Sequence, residues 1–479
     1  MSEIARRSDA ALGVRSSLLV SIASGTLLNP LNSSMIAVAL VTIGKSFSVP
    51  IPTVTWLVSG FYLAAAVAQP LMGKLADRLG PRRVFVFGLS LVAVAGALGP
   101  FAPSLAFLVA IRVLQAFGTS AAYPAGLALV RRAAGNPERP PAAALGLLSI
   151  AANVSAALGP TIGGAIIAVA DWQGIFLVNL PLSILSILLA LRFFPGEPAR
   201  PLLAKAARGE AAGTHPRRGG LQGSIRRLRV DLAGILLFAA TLTLLLVFLL
   251  SLSGPIRWPF LPLAAGAAAA FVLWERRRAD PFIDFSMLST RGGLGRVYLT
   301  FAAVNTVFYS LFYGLPLWME QAHRLAPDLA GALMLPFAGL GVLATPLAAR
   351  LIRLRGARPA NLIGMAAMCA GALLLLLLGD RSSIWAIAAV TLVLGVPNAF
   401  NNLGLQAELF QAAPADKIGA ASGLFQTFRY VGTFLSVAIL GIFLGARADS
   451  TRLHHVAFCL CAISLLLFLL TLKKTGPRP

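Results

Sequence analysis

Apolar runs of about 20 residues are the feature of this sequence that most limits its possible folds, because a helix needs that length to cross a bilayer. Fourteen such runs can be marked along the 479 residues, at 17–43, 52–73, 84–103, 104–130, 141–169, 174–194, 230–253, 258–275, 297–319, 327–349, 359–379, 384–410, 418–445 and 454–472. Only 12% of the residues are charged, against about 25% in soluble domains. We therefore predict an all-α polytopic membrane protein with 14 transmembrane helices.

The positive charge of the chain, a net +23, is distributed unevenly between the loops. With the N-terminus placed inside, 32 of the 40 Lys and Arg residues fall on the cytoplasmic side, six lie in outer loops and two, Arg112 and Arg429, lie within spans. Lys and Arg collect in the cytoplasmic loops of membrane proteins, so both termini are predicted to be cytoplasmic. The basic N-terminal stretch is interpreted as a retained tail, because the long apolar run after it has no convincing cleavage site.

An internal repeat relates the two parts of the chain. Residues 69–83 align without gaps onto 345–359, with proline, glycine and arginine at matching positions. Parallel repeats of this kind build many transporters, with the substrate site at the repeat interface near the bilayer midplane. The predicted organisation is a six-helix bundle at 1–194, a basic cytoplasmic linker at 195–229, two inserted transmembrane helices at 230–276, a cytoplasmic loop at 277–296, and a second six-helix bundle with a short tail at 297–479.

The motifs of several enzyme and pump classes are missing from the sequence. It has no phosphate-binding glycine-rich loop followed by Lys and Ser or Thr, no nucleophile elbow and no helix with metal-spaced His and Glu. Cys459 and Cys461 lie near His454 and His455, but residues two apart on a helix point to different faces. We therefore expect no enzyme activity, no ATP-driven transport, no cofactor and no metal site. The expected partners are a small-molecule substrate and the lipid bilayer, and no nucleic acid.

The loop after the second span has the strongest local pattern. Its glycines permit close helix approach and a tight turn, and its arginines hold the loop in the cytoplasm. Asp77 can accept hydrogen bonds from a helix N-terminus or pair with an arginine of a neighbouring span. The residues of this expected gate are Gly73, Asp77, Arg78, Gly80, Arg82 and Arg83. The pattern resembles the signature loop of the major facilitator superfamily, between its second and third helices.

Two further motifs narrow the resemblance. Arg112 and Gln115 in the fourth span are similar to the Arg-x-x-Gln-Gly pattern of that superfamily, although Ala116 replaces the usual glycine. A buried arginine is costly, so Arg112 should face water, a carboxyl group or a ligand. In the fifth span, a helix-bending proline and close-packing glycines resemble the antiporter motif of the superfamily's exporters. These residues are Gly159, Pro160, Gly163 and Gly164.

The fourteen spans and the sequence of residues 419–432 are similar to the fourteen-helix drug–proton antiporter branch, the multidrug efflux type. The resemblance implies a major facilitator fold, in which two six-helix bundles rock around a shared site beside two inserted helices. It also implies a secondary transporter that exports lipophilic drug-like or metabolite substrates across the bacterial inner membrane. Some members in double-membraned bacteria work with a periplasmic adaptor and an outer-membrane channel, although this chain has no large outer domain to dock one.

One departure from that branch concerns proton coupling. The first helix of the branch usually has an aspartate in a Leu-Asp-x-Thr pattern. This chain has Asn32 there, and an amide cannot load and release a proton. Proton antiport needs a carboxyl group that alternates between the two sides of the membrane. Glu408 is the first candidate and Asp77 the second, and the resemblance associates Arg112 with coupling.

Polar side chains at helical spacing predict the wall of a central cavity, because residues three or four apart share one face of a helix. The candidate residues are Asn29, Asn32, Ser33, Gln115, Tyr123, Asn305, Tyr309, Tyr313, Asn398, Asn402, Gln406, Gln426, Arg429 and Tyr430. Hydrogen bonding between helices is the other interpretation of each polar stripe. With arginine as the only fixed charge, the predicted pocket suits a neutral or anionic substrate.

Three functions remain open from the sequence. Proton-coupled export is the leading hypothesis. A proton-independent facilitator or exchanger of a neutral or anionic metabolite is the second, and Asn32 favours it. The third is a membrane-embedded sensor or assembly factor that transports nothing.

Overall fold

Helices account for the fold of this chain. The computed structural model describes residues 14–49, 51–54, 56–134, 141–196, 231–252, 255–278, 281–285, 293–325, 327–414, 416–444 and 449–473. Within these ranges the regular elements are α-helices and short 3-10 turns, with no β-strand. The predicted all-α fold class is confirmed for this part of the chain.

The first six predicted runs form nine helices, because several runs are interrupted. The helices are α1 (Ser16–Thr26), α2 (Leu28–Ser46), α3 (Ile51–Val54), α4 (Trp56–Leu79), α5 (Pro81–Leu98), α6 (Leu105–Thr119), α7 (Ala122–Ala133), α8 (Ala142–Leu177) and α9 (Asn179–Phe193). We refer to them together as the N-terminal half.

The remaining helices comprise an inserted pair and a second set that we call the C-terminal half. The inserted pair is α10 (Leu232–Ser251) and α11 (Phe260–Arg276). The C-terminal half consists of α12 (Leu294–Gln321), α13 (Pro327–Leu333), α14 (Leu335–Arg355), α15 (Ala357–Leu374), α16 (Ile384–Ala412), α17 (Ile418–Phe443) and α18 (Ser450–Leu472).

The number of membrane spans is lower than the sequence predicts. Ten described helices are long and apolar enough to cross a membrane, and the number is twelve if each of two bent helix pairs counts as one span. Each of the 14 predicted runs contains a helix, but α11 has only 17 residues, at the lower limit of the crossing length. The predicted count of 14 is therefore not established.

Several pairs of described helices join the halves. α4 packs along α17, and α8 packs against α14, while α7 also contacts α17 and α8 also contacts α16. Glycines make the first of these contacts close: a side chain at Gly73 would collide with the backbone of Gly419, and one at Gly423 would collide with the backbone of Gln69. Because small residues let helix backbones approach one another, α4 and α17 form an interface of direct backbone contacts.

Two glycines at equivalent positions of the sequence repeat turn the chain after α4 and α14. Gly80 has a φ of 99° and Gly356 a φ of 82°, a region that glycine adopts without steric cost. Each turn leads directly into the next helix, α5 or α15. The repeat is therefore accompanied by the same local geometry in both halves, whereas the domain boundaries stay a prediction.

α8 is interrupted near the predicted boundary between the fifth and sixth runs. Ala170 and Asp171 depart from helical geometry, and Asp171 has a φ of 53°. The Asp171 carboxylate accepts the backbone N–H of Trp172 at 2.6 Å, and the Trp172 indole donates to Ser46 Oγ at 3.1 Å. These bonds cap the second helical segment of α8 and tie it to the end of α2.

Several predicted segments lie outside the described residues. They are most of the basic linker predicted at 195–229, part of the loop predicted at 277–296, and both ends of the chain. The cytoplasmic location of the termini therefore stays a prediction.

Candidate functional site

The end of the helix bundle at which α4 finishes holds the residues of the predicted gate, and we call it the Asp77 end. The two carboxylate oxygens of Asp77 accept the backbone N–H groups of Gly419, at 2.8 Å, and Ala420, at 2.7 Å. Both N–H groups belong to the first turn of α17, where unpaired donors and the helix dipole stabilise a negative charge. Asp77 therefore joins the two halves directly.

Arg131 makes a second contact between the halves at this end, which the sequence did not predict. It lies in the last turn of α7, and its Nη1 donates to the carbonyls of Phe410, at 2.9 Å, and Ala413, at 2.8 Å. These carbonyls end α16, where the helix dipole favours a cation. In the sequence, Arg131 and Arg132 were interpreted only as positive charges that keep their loop in the cytoplasm, and nothing pointed to a contact with α16. A carboxylate on a helix N-terminus and a guanidinium on a helix C-terminus thus close the Asp77 end.

The remaining charged residues of the predicted gate have separate neighbours. Arg82 donates to the carbonyls of Leu191, at 2.9 Å, and Phe194, at 3.4 Å, so it holds the end of α9 within the N-terminal half. Arg78 lines a cavity at the Asp77 end, and Arg83 is exposed. Asp77 therefore supplies hydrogen bonds from this motif to the other half, beside the close backbone contact of Gly73 with Gly419.

Two glycines of the predicted exporter motif pack against α2. A side chain at Gly159 would collide with Ser34, and one at Gly163 would approach the backbone of Met35 to 3.1 Å. Gly164 faces open space, which corrects the expectation that it also serves close packing, because it lies about 100° around the helix from Gly163. The Pro160 side chain lies outside the described part of the structure.

Arg112 lies in a sealed polar network inside the N-terminal half. It is 1% exposed, and it donates to the Leu57 carbonyl at 3.2 Å and to Gln115 Oε1 at 2.6 Å. Its guanidinium also lies 4.2 Å from the ring centroid of Phe61, an arrangement that attracts a cation electrostatically. These partners differ from the water, carboxyl group or ligand that the sequence predicted, because a carbonyl, an amide oxygen and a ring face together stabilise the charge.

Three amide side chains continue this network. Gln115 Nε2 donates to Asn32 Oδ1 at 2.8 Å, and Asn32 Nδ2 donates to Asn179 Oδ1 at 2.6 Å. Each of the three is at most 1% exposed. An amide both donates and accepts, so Asn32 can bond to both Gln115 and Asn179. An ionised carboxylate has no donor and could not bond to the Asn179 oxygen. Asn32 and Gln115 therefore lie behind the wall of the central cavity, contrary to their predicted place in it.

A central cavity between the halves gathers seven of the predicted cavity residues, which are Asn29, Tyr123, Asn402, Gln406, Gln426, Arg429 and Tyr430. The Asn29 side chain donates to Thr119 Oγ1 at 3.0 Å and accepts from the Tyr430 hydroxyl at 3.4 Å. Because Asn29 and Tyr430 belong to different halves, this second bond crosses the bundle.

The central cavity is also lined by polar residues that were not predicted for its wall, among them Thr26, Gln69, Ser149 and Asn153. Ser149 and Asn153 have the four-residue spacing that marked the other polar stripes, so this pair could have been found. Gln69 is a lone polar residue in an apolar run and had no such pattern.

Five buried polar atoms in the wall of the central cavity have no hydrogen-bond partner among the described residues: Gln69 Oε1, Tyr123 OH, Ser149 Oγ, Asn153 Nδ2 and Arg429 Nε. Leaving a buried polar atom unpaired costs about 1–3 kcal/mol. Arg429 is the one charged residue among the described side chains that line this cavity. The cavity therefore offers mostly hydrogen-bond donors and one positive charge.

Tyrosines extend the polar surface next to Arg429. Tyr309 and Tyr313 stack with ring centroids 5.8 Å apart, and Tyr309 interacts with the Arg429 guanidinium. Tyr62 of α4 interacts with both tyrosines and with Ser33. The predicted residues Ser33, Tyr309 and Tyr313 therefore lie beside the central cavity. Through Tyr62 they connect α12 to α4 and α2.

Three predicted residues lie deeper in the C-terminal half. Asn305 and Asn398 line a separate cavity of about 20 Å³, whose wall shares Asn402 with the central cavity. Glu408 accepts a hydrogen bond from Asn361 Nδ2 at 2.9 Å and is not among the described residues lining the central cavity. The first candidate for proton coupling is therefore held by a neighbouring helix of its own half.

The central cavity is small in this conformation. Its volume is about 50 Å³, whereas pockets for drug-sized ligands measure about 300–1,000 Å³. Binding a compound of that size would require the two halves to move apart.

Residues 22–437 match the family model described as the Major Facilitator Superfamily. The chain is 40% identical over 438 residues to an uncharacterized MFS-type transporter, YwoD, of Bacillus subtilis, covering 91% of this chain and 92% of that protein. It is 30% identical to the multidrug resistance protein Stp of Mycobacterium tuberculosis, covering 92% and 78%. It is 27% identical to the tetracenomycin C resistance and export protein of Streptomyces glaucescens, covering 90% and 76%.

A solved structure has the same fold. The human organic anion transporter MFSD10 (TETRAN) aligns with a TM-score of 0.65 over 98% of this chain and 100% of that one, at 16% sequence identity. Two helical halves with a polar cavity between them, and a family match over most of the chain, agree with one another. This chain belongs to the major facilitator superfamily.

Proposed function

We propose that this protein exports lipophilic, drug-sized compounds with a neutral or anionic polar group across the bacterial inner membrane. The observation that carries the proposal is the central cavity, where unpaired polar atoms surround Arg429. The donors of Tyr123, Ser149 and Asn153 could pair with the acceptor atoms of a ligand, and Arg429 could bind a carboxylate. Hydrogen bonds to charged groups contribute about 1.5–3 kcal/mol each, so an anionic group would gain most.

The direction of transport is proposed from two observations. The relatives include proteins named for multidrug resistance and for tetracenomycin C resistance and export. In addition, Gly159 and Gly163 pack α8 tightly against α2, which limits leakage through the N-terminal half. Both observations favour export over uptake.

Alternating access is the mechanism that we propose for this export. Asp77 and Arg131 close one end of the bundle through bonds between the halves. Opening that end would require both contacts to break while the central cavity widens. The cycle would then expose the cavity to each side of the membrane in turn.

Proton coupling is proposed to act through Asp77. Asn32 is an amide, and Glu408 is bonded to Asn361 away from the central cavity, whereas the Asp77 carboxylate itself joins the halves. A protonated Asp77 would lose part of its acceptor capacity and would hold α17 less firmly. A proton-independent exchanger is the second candidate, because the described lining of the central cavity includes no carboxylate.

The test uses inside-out membrane vesicles that are acidic inside and contain a pH-sensitive dye. One lipophilic scaffold is added in three matched forms, as a carboxylic acid, a methyl ester and an amine, and uptake of labelled compound is followed together with the dye. We expect uptake of the acid and the ester with discharge of the gradient, both exceeding the passive signal of vesicles without the protein.

The other outcomes separate the alternatives. Protein-dependent uptake of the amine alone, above its passive accumulation in vesicles without the protein, would contradict the proposed substrate class. Uptake without any proton movement would favour the exchanger, and the absence of all uptake from a correctly inserted protein would favour a sensor or an assembly factor.

A further inference from the structure

Residues 281–285 follow the inserted helix pair and lie at the Asp77 end, beside the contact between α4 and α17. With residues of α4, α12 and α17 they line a cavity of about 420 Å³. Phe282 and Ile283 are each 5% exposed, so this segment is packed firmly against the helices around it.

Both halves of the protein are bonded to this segment. Lys74 of α4 donates from Nζ to the Pro281 carbonyl at 2.6 Å. Lys417, the residue before α17, donates to Asp284 Oδ2 at 2.8 Å. Lys74 lies about one helical turn before Asp77, and Lys417 directly precedes the helix N-terminus that Asp77 contacts. The two lysines therefore hold the segment at the same place where the halves meet.

The segment is also anchored to the inserted pair. Glu275 of α11 is 2% exposed, and its Oε2 accepts the backbone N–H of Ile283 at 3.1 Å. The rings of Phe282 and Phe238 lie 5.7 Å apart, which adds an aromatic contact to α10. Movement of the segment would thus disturb its contacts with α10 and α11.

A second contact links α10 to both halves further along the bundle. Leu242, Leu246 and Leu249 form one buried apolar cluster with Phe61 of α4 and Phe434 of α17. The inserted pair therefore contacts the interface between α4 and α17 both at its end and along its length.

We propose that residues 281–285 form a strap by which the inserted helix pair holds α4 and α17 together and restricts opening of the Asp77 end. The strap rests on the alternating-access mechanism proposed above. Because Lys74 and Lys417 belong to opposite halves, separating α4 from α17 requires one of the two lysine contacts to break. A chain without the inserted pair would lack this restraint.

The test measures the distance between the halves by electron–electron double resonance on the full-length protein in lipid nanodiscs. Spin labels are attached at Phe87→Cys of α5 and Leu354→Cys of α14, which are 52% and 67% exposed. The three native cysteines, Cys369, Cys459 and Cys461, are first replaced by serine. No substrate is needed for this measurement.

The strap variants are Lys74→Met and Lys417→Met, singly and together, and each keeps an apolar side chain of similar length. The matched control is Arg452→Met, which removes an ion pair to Asp449 (3.9 Å) within the C-terminal half. The Lys417–Asp284 ion pair and the hydrogen bond from Lys74 to the Pro281 carbonyl should each change the equilibrium about two- to fivefold. We expect the population with the longer distance to rise about two- to fivefold in each single variant and further in the double variant, with no change in the control.

Two additional variants make the outcome decisive. Exchanging the charges, Lys417→Asp with Asp284→Lys, should restore the wild-type distances, which a folding defect would not do. An unchanged distance distribution in the lysine variants overturns the strap. If the lysine variants leave the distance unchanged but Asp77→Asn lengthens it, the strap proposal is wrong and the proposed alternating access stands. If Asp77→Asn also leaves it unchanged, the proposed alternating access has failed with it.

Discussion

Arg112 and Arg429 are two arginines in membrane-spanning helices, and the two halves of the protein surround them differently. Arg112 is 1% exposed and is held by an amide oxygen, a carbonyl and a ring face within the N-terminal half. Arg429 lines the central cavity next to tyrosines, and its Nε has no partner among the described residues. Nη2 of Arg112 is also unpaired, but Arg112 lies outside the wall of that cavity.

The difference indicates two roles for a buried positive charge. A charge inside a protein needs compensating partners, and the network around Arg112 supplies most of them from fixed side chains. Arg429 lies where a ligand could supply the missing partner. We therefore expect Arg112 to stabilise the fold and Arg429 to bind substrate.

The largest expected effect is that of Arg429→Met on transport of the anionic test compound. Losing one hydrogen bond to a charged group should lower kcat/KM about 10- to 100-fold, whereas Arg429→Lys should keep part of the rate. The measurement is the initial uptake rate in proteoliposomes at low substrate concentration. An undiminished rate in the methionine variant would show that Arg429 does not bind substrate.

Arg112→Met should act on stability. It leaves the Gln115 oxygen without its donor, so we expect a loss of about 1–3 kcal/mol and a lower thermal unfolding temperature in detergent. KM of the folded fraction should not change. Arg192→Met, at an exposed arginine of α9, should alter stability by less than about 0.5 kcal/mol. A raised KM with unaltered stability would mean that both arginines have the same role.

Asn32→Asp tests whether the network requires an amide at this position. An ionised carboxylate cannot donate to Asn179, so the variant should lose about 1–2 kcal/mol of stability at high pH. A protonated carboxyl group can donate, so part of the loss should be recovered as the pH falls. Unfolding temperatures between pH 5 and 9 measure this, with the wild-type protein as the reference at each pH. A loss that is independent of pH would contradict the proposed hydrogen bond.

The smallest expected effects are those of Ser149→Ala and Asn153→Ala. Each removes one neutral hydrogen bond to the substrate, so the apparent Kd should rise about two- to tenfold. Ser183→Ala is a matched control, because Ser183 is also buried with an unpaired hydroxyl but does not line the cavity. Equal effects of all three variants on substrate affinity would mean that the cavity wall is not the binding surface.

Much of the fold and part of the candidate site could be predicted from the sequence. The apolar runs predicted helices at the observed places. The polar stripe containing Asn402 and Gln406 was predicted to line the central cavity, and both residues do so. Arg131 and Gln69 could not be found in this way, because neither belongs to a polar stripe with helical spacing. Their roles depend on partners more than 270 residues away, the carbonyl of Phe410 for Arg131 and the glycine face of α17 for Gln69.

The sequence by itself determined that this chain is a helical membrane protein, and its repeat predicted two related halves, because apolar length and the repeat are properties of the chain alone. Only the tertiary structure decided that Asn32 and Gln115 lie in a sealed network while Asn29 and Arg429 face the central cavity. Helical periodicity determines which residues share a face of one helix. Which neighbour that face meets depends on how all the helices pack together.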